Sequence, residues 1–336
     1  MNSATNPVTI VQVRPGHALR RFVLGQQMII VLALITLIVI FSILAPTIFP
    51  QWSNLRLIMQ NASILIVVAI GATFVLVTGG VDLSVGSVLV FSSVISALVM
   101  QRIGGDGWLP SLLGLVASLA SGVLWGAING VIVAWVRIPA MIATLGTMGI
   151  ALGLAYIISG GVDIRGVPSL IEDSIGYGNI FFDIPVLSVI ALGVGLLSAG
   201  LLNLTVFGVR TRAIGSNYDA ALRSGIGVKR HLLSVYILGG ALAGLGGFLA
   251  LAQFSTTSIS GNNGMSLAVI TAVILGGTSV FGGVGTILGT VVGIFIPSVL
   301  QNGLVVLNVE PFWQQVLIGT ALILAVASDQ IRRAKR

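Results

Sequence analysis

From Leu232 to Val309 the chain contains no Asp, Glu, Lys or Arg. A soluble fold cannot leave so long a run without charge, because about 25% of the residues of an ordinary soluble domain are charged. Here the whole-chain figure is 7%, against 56% hydrophobic, and the mean hydropathy is +1.10. The medium that tolerates such a chain is a lipid bilayer. There every backbone N–H and C=O must be satisfied internally, and helices do this segment by segment. The 44 glycines agree, because small residues let membrane helices approach closely.

Apolar segments fall at 22–45, 57–78, 83–101, 109–135, 139–159, 184–208, 232–252, 265–281, 285–307 and 312–328. A spanning helix needs about 20 residues. The expectation is an all-α membrane protein with about ten transmembrane helices in one domain, residues 22–328, between a polar tail 1–21 and a basic tail 329–336. The segments 265–281 and 285–307 are joined by a Gly-rich turn, so a broken or re-entrant piece is an open alternative there. The first apolar run is longer than a signal h-region, and Pro46 after Ala45 disfavours cleavage. It reads as an uncleaved first span.

The charges test this count. With the N-terminus in the cytoplasm and alternating spans, thirteen basic and three acidic residues fall inside, leaving +10. Three basic and six acidic residues fall outside, leaving −3, and together these give the formal +7. That is the positive-inside pattern, and it places both termini in the cytoplasm. Topology explains the basic balance, and no nucleic acid is needed. For a bacterial chain the site would be the inner membrane.

One polar island interrupts the apolar sequence, the loop 210–231, with Arg210, Arg212, Arg223, Lys229 and Arg230. Within it Ser216 and Asp219 have capping-box spacing, residues 217–224 would make two short turns, and Gly225 is a natural stop. So short a helix does not hold in water alone. Either a partner supports it or it lies on lipid headgroups.

The motifs for self-powered transport or catalysis are missing. Neither Lys229 nor Lys335 sits in a phosphate-binding loop. Two histidines and no cysteine leave little material for a metal site or a nucleophile. All nine acids fall at segment ends, whereas proton- or ion-driven carriers place ionisable groups inside the membrane. No catalytic or metal-binding residue is expected, and no cofactor bound by this chain.

Two further features stand out. Thr78–Ser87 reads T-G-G-V-D-L-S-V-G-S, where glycines allow a turn and Asp82 is placed to cap the next helix, either as structure alone or as a partner contact. Gly79, Gly80, Asp82, Ser84 and Gly86 are faintly echoed by Gly276, Gly277, Gly282 and Gly283. The uncharged polar residues that could line a path include Asn61, Asn129, Thr144, Gln253 and Asn302, with interhelical hydrogen bonding as the alternative role of each.

With these residues assembled, the chain resembles the membrane permease subunits of ribose-, xylose- and arabinose-type ABC sugar importers. The resemblance rests on T-G-G-V-D-L-S-V-G-S at 78–87, I-P-A-M-I-A-T-L-G-T-M-G-I-A at 138–151 and A-I-G-S-N-Y-D-A-A-L-R-S-G-I at 213–226. I-L-G-G-T-S-V-F-G-G-V-G-T-I-L-G-T at 274–290 and P-F-W-Q-Q-V-L-I-G at 311–319 complete it. It implies a pore subunit that pairs with a second permease, meets ATPase subunits carrying ATP and magnesium, and receives a monosaccharide from an extracytoplasmic binding protein. The family's coupling segment maps here onto Ser216, Asn217, Asp219, Ala220, Ala221, Arg223 and Gly225. Departures are Tyr218 and Asp219 where Pro and Glu are frequent, Leu152 and Val284 where Arg is frequent, and Ser266 and Ala268 where acids are frequent. A permease for a nucleoside or furanose signal and a self-sufficient facilitator remain the alternatives.

Overall fold

The computed structural model describes residues 15–259 and 264–310, and scattered residues between 312 and 323. Residues 1–14, most of the expected 312–328 segment and the tail 329–336 lie outside the described residues, and so do both chain ends.

The order of elements is α1 (Pro15–Leu44), α2 (Trp52–Val77), α3 (Val85–Ile103), α4 (Trp108–Val131), α5 (Ala140–Ser159), the single turn α6 (Ser169–Ile171), α7 (Val186–Leu204), α8 (Val206–Ser216), α9 (Tyr218–Arg223), α10 (Val228–Phe254), α11 (Met265–Leu275) and α12 (Ile287–Val306). A π turn, Ile132–Val136, closes α4 and leads into a left-handed Arg137. Between α6 and α7 two short strands, β1 (Asn179–Ile180) and β2 (Ile184–Pro185), pair antiparallel.

Among the described residues, seven helices are long and apolar enough to cross a membrane: α2, α3, α4 with its π turn, α5, α7, α10 and α12. In the 265–281 segment only α11 is helical. Its 11 residues rise about 16 Å, roughly half of a 30 Å hydrocarbon core. The broken-helix alternative describes this region, and its non-helical backbone is tolerated because protein surrounds it.

Burial separates the core from the lipid face. Of the apolar window of α2, 89% is inside the bundle, against 28% for α5 and for α7. Yet α5 and α7 turn outward Ile142, Leu145, Ile150, Ile157, Leu192, Leu196 and Leu197. An exterior as apolar as the interior is the signature of a lipid-facing helix. At the centre, α10 packs against α2, α3 and α4.

The closest of these contacts is backbone to backbone. Gly122, Gly126 and Gly130 of α4 lie against Gly240, Gly244, Tyr236 and Leu233 of α10, and Ser118 Oγ donates to the Gly244 carbonyl at 2.7 Å. A Cβ on Gly240 would overlap the Gly122 carbonyl oxygen and come within 2.8 Å of Gly126 Cα. A second row of glycines spaced four apart, Gly285, Gly289 and Gly293, likewise meets Thr278, Gly276 and Ala272 within the chain. Both rows of glycines therefore pack within one subunit.

Gly240→Ala should lower stability by about 1–3 kcal/mol, seen as a fall in the apparent melting temperature in detergent. Gly193→Ala on α7, where a Cβ meets nothing within 4 Å, should leave it unchanged or slightly raised. Equal melting of both variants and the parent would contradict the α4–α10 contact.

Candidate functional site

The polar island folds as two helices rather than as a loop. α7 stops at Leu204, and Thr205 caps α8 by accepting from the Gly208 amide. Residues 210–216, expected to be loop, thus form the C-terminal part of α8. α8 is pinned to α10 where His231 Nε2 meets Thr211 Oγ1 at 2.9 Å and the Phe207 ring packs on the imidazole.

The cap of the next helix is Asn217, whose Oδ1 accepts from the Ala220 amide at 2.9 Å. The capping box expected from Ser216 and Asp219 does not form, because Ser216 still belongs to α8. α9 ends with Gly225 at φ +82°, with Gly225 N–H on Leu222 O and Ile226 N–H on Ala221 O. This is a Schellman stop, which needs a left-handed residue. α9 is held by its own small core, in which Ala221 packs with Ala134, Ile214, Val228 and Leu232. Asp219, Ala220 and Arg223 face an open concavity together with Asn217 and Ser224.

Directly behind α8, three backbones converge. The Gly283 N–H donates to Val77 O at 2.8 Å, satisfying a carbonyl that the end of α2 leaves free. A Cβ on Gly215 would overlap that same oxygen and lie 2.6 Å from Gly283 N. Gly282 is as tight, with Gly215 O and Gly79 N each 2.8 Å from its Cβ position. Gly79 and Gly277 are matching left-handed stops, at φ +84° and +92°. The echo between the two loops is therefore real in geometry but shifted by one residue, pairing Gly79 with Gly277.

The 78–84 turn continues into a buried polar chain. Asp82 Oδ1 accepts from Ser84 N–H at 2.8 Å and from Ser84 Oγ at 2.6 Å. Ser84 Oγ accepts from Asn129 Nδ2 at 2.8 Å, and Asn129 Oδ1 accepts from Thr147 Oγ1 at 2.6 Å. Thr144 Oγ1 takes the Leu83 N–H at 3.1 Å. The position of the helix N-cap is held by Ser84, not Asp82, and Asp82 is buried. Burial pushes its carboxyl up from the ordinary range, against the Ser84 hydrogen bonds that pull it down. One residue into α3, Gly86 N–H donates to Ser266 Oγ at 3.0 Å.

At the far end of the bundle is a cleft of about 520 Å³ lined by Asn61, Leu65, Ser93, Phe254, Thr256 and Gln301 among others. That volume lies in the range of small-molecule sites. Among the described residues, none that lines it is charged. Gln253 Nε2 donates to Asn61 Oδ1 at 2.8 Å, and among the described residues the side-chain oxygen of Gln253, Oε1, is buried without a partner.

Comparison with known proteins gives this architecture its family. Residues 54–326 match the model of the branched-chain amino acid transport system / permease component family. The chain belongs to this permease family. Among relatives, the permease is 35% identical over 299 residues to the D-allose transport system permease protein of Escherichia coli K12, covering 88% of this chain and 89% of the relative. It is 37% identical over 303 residues to the ribose import permease protein of Bacillus subtilis 168, with coverages of 90% and 92%. It is 34% identical over 302 residues to the L-arabinose ABC transporter permease protein of Azospirillum brasilense, with coverages of 89% and 87%. No solved structure matches. The permease is a multi-pass membrane protein.

The expected path residues separate. Asn61 lines the cleft and Gln253 stands behind it. Asn302 instead exchanges hydrogen bonds with Asn54 at 3.0 and 2.9 Å, joining α12 to α2. Asn129 and Thr144 belong to the Asp82 chain at the other end. Ser93, Thr256 and Gln301 line the cleft and were not singled out, because nothing local distinguishes a cleft-lining Ser or Gln from a surface one.

Asp82→Asn keeps an oxygen that accepts both Ser84 bonds and should hold parental stability, whereas Asp82→Ala strands them and should cost about 1–3 kcal/mol. The raised carboxyl also sets a sign. The contribution of Asp82 to stability should be greatest below the ordinary carboxylate range and be lost as pH rises through the raised value. Asp82→Asn should flatten that profile, so an unchanged slope in melting temperature against pH would contradict the assignment.

Proposed function

We propose that this permease is the translocation subunit of an ABC importer that carries a monosaccharide or similar neutral, hydroxyl-rich solute into the bacterial cytoplasm across the inner membrane. The observation that carries the reading is the identity of about 35%, over roughly nine tenths of the chain, to sugar permeases. It is joined by a supported helix, α9, whose outward face is polar. The uncharged cleft favours a neutral solute, since a zwitterionic amino acid would bring two charges needing buried partners.

On this reading separate ATPase subunits bind ATP and magnesium and grip Asp219, Ala220 and Arg223. A binding protein delivers the solute at the opposite face, and a second permease completes the pore. Movement of α9 passes through Ser216 and Gly215 to the 78–84 and 276–286 turns. From there it reaches α2, α3 and α12, giving alternating access. The chain itself makes and breaks no covalent bond.

Proteoliposomes holding permease, ATPase and binding protein should take up solute only with ATP. Replacing both Asp219 and Arg223 by Ala should cut ATP-dependent uptake at least about tenfold at unchanged insertion, consistent with loss of a docking contact. Uptake by the permease alone would overturn the reading. The chain lacks cysteine, so orientation can be read separately. Ala220→Cys should react with an impermeant thiol reagent only from the cytoplasmic face, and Asp183→Cys only from outside.

A further inference from the structure

Beside α9, on the face away from Asp219 and Arg223, lies a cavity of about 850 Å³. Its walls come from the α2 turn (Thr78–Gly80), the α4–α5 connection (Val133–Ala140), α9 (Tyr218, Leu222) and the start of α10. Arg137, Lys229 and Arg230 line it, and no acidic residue does. Among the described residues none of these three cations has a side-chain hydrogen bond or ion pair, the one ion pair being Arg56 with Asp183 at the other end of the molecule. The charged lining of the cavity is thus wholly basic among the described residues, which suits it to a negative ligand.

A second observation points the same way. Tyr236 lines the same cavity, is 1% exposed, and its hydroxyl is buried without a hydrogen-bond partner. Gly80 leaves room for that oxygen, since a Cβ there would stand 2.8 Å from it. A buried orphan hydroxyl costs stability unless a ligand or water meets it.

The third observation selects the source of the anion. Next to the cavity, Trp135, Val136 and Ile138 are exposed at the end of the lipid-facing α4 and α5. An aromatic at headgroup level with apolar neighbours and basic groups is how a membrane protein meets the lipid interface. Basic pockets between helices on the cytoplasmic side receive anionic headgroups.

We propose that this cavity binds the phosphodiester headgroup of an anionic phospholipid of the cytoplasmic leaflet. Arg137, Lys229 and Arg230 pair with the phosphate, the Tyr236 hydroxyl donates to a headgroup oxygen, and the acyl chains run along Trp135, Val136 and Ile138. This rests on the orientation proposed above. The bound lipid bridges the α4–α5 connection to the α9–α10 corner and touches the Gly79–Gly80 turn, so it braces the path between α9 and the membrane core. The opposite face of α9 stays free for the ATPase.

The test is native mass spectrometry of the full-length permease titrated with phosphatidylglycerol or phosphatidylcholine, with or without millimolar inorganic phosphate. Phosphatidylglycerol should bind preferentially at one site per chain and resist displacement by phosphate. The double change Arg137→Gln with Arg230→Gln should weaken it about tenfold or more, while Arg102→Gln, at the opposite end, leaves it unchanged. Tyr236→Phe, which keeps the ring, should weaken it less. Equal retention of both lipids, or a double variant that binds as the parent does, overturns the proposal. Displacement by free phosphate would mark a soluble-anion site and overturn the lipid assignment. Protection of Arg230→Cys from thiol labelling by the ATPase subunit but not by lipid would assign the cavity to protein docking and overturn it equally. Labelling of Ala220→Cys from the outside would condemn the orientation, a result separable from lipid binding in detergent.

Discussion

The structure depends on the place where Gly215, Val77 and Gly283 touch. Three chain segments, the ends of α8 and α2 and the loop before α12, converge there with no side chain between them. The Gly283 amide satisfies an end-of-helix carbonyl, so α2 is capped by a segment some two hundred residues away. Such a contact is stiff, because backbone cannot yield as a flexible side chain can. Displacement of α8 and α9 is therefore felt directly by the helices of the core. It is also why glycine recurs in these turns, at positions where φ is positive or where a methyl group would overlap a carbonyl.

The two ends of the molecule solve opposite electrostatic problems. At the far end, short polar anchors tie the loops: Asp163 accepts from the Ile259 amide at 2.9 Å, Asp106 accepts from the Ser169 amide at 3.2 Å, and Arg56 reaches Asn179 and Asp183. The cleft opening among these loops carries hydroxyls and amides but no charge. At the α9 end, the charged described residues that line one cavity are all basic, while Asp82, an acid, is withdrawn into the interior and satisfied by Ser84. Neutral groups thus line the cleft, and net charge is kept to the margin where water and headgroups can meet it.

Much of this was legible from local pattern. The span-length helices follow the apolar segments to within a few residues, since hydropathy over about 20 residues is a local property. α9 was placed within a residue at either end, because its stop, Gly225, requires a conformation that glycine supplies. Its start was misread by one position. Ser216 and Asn217 are both good caps, and only the packing of α8 against α10 through His231 and Thr211 decides that the first helix runs through Ser216. Asp82 was recognised as a helix-start acid but not as a buried one. Its neighbours Asn129 and Thr147 come from helices 45 and more residues away, and no sequence window contains them.

The sequence by itself determined the class of the molecule, the number and rough extent of its apolar segments, the lack of a phosphate-binding-loop motif, and the one polar segment that interrupts the apolar run. These are properties of composition and of short windows, where hydrophobic transfer and backbone conformation act residue by residue. Only the tertiary structure decided that α11 is half a span, that the glycines of α4 face those of α10, and that Asn61 belongs to a cleft while Asn302 belongs to a helix joint. It alone gathered Arg137, Lys229, Arg230 and the orphan hydroxyl of Tyr236 around one cavity. Each of these depends on which distant backbone comes close enough to exclude a side chain or accept a proton, and that distance is set by packing alone.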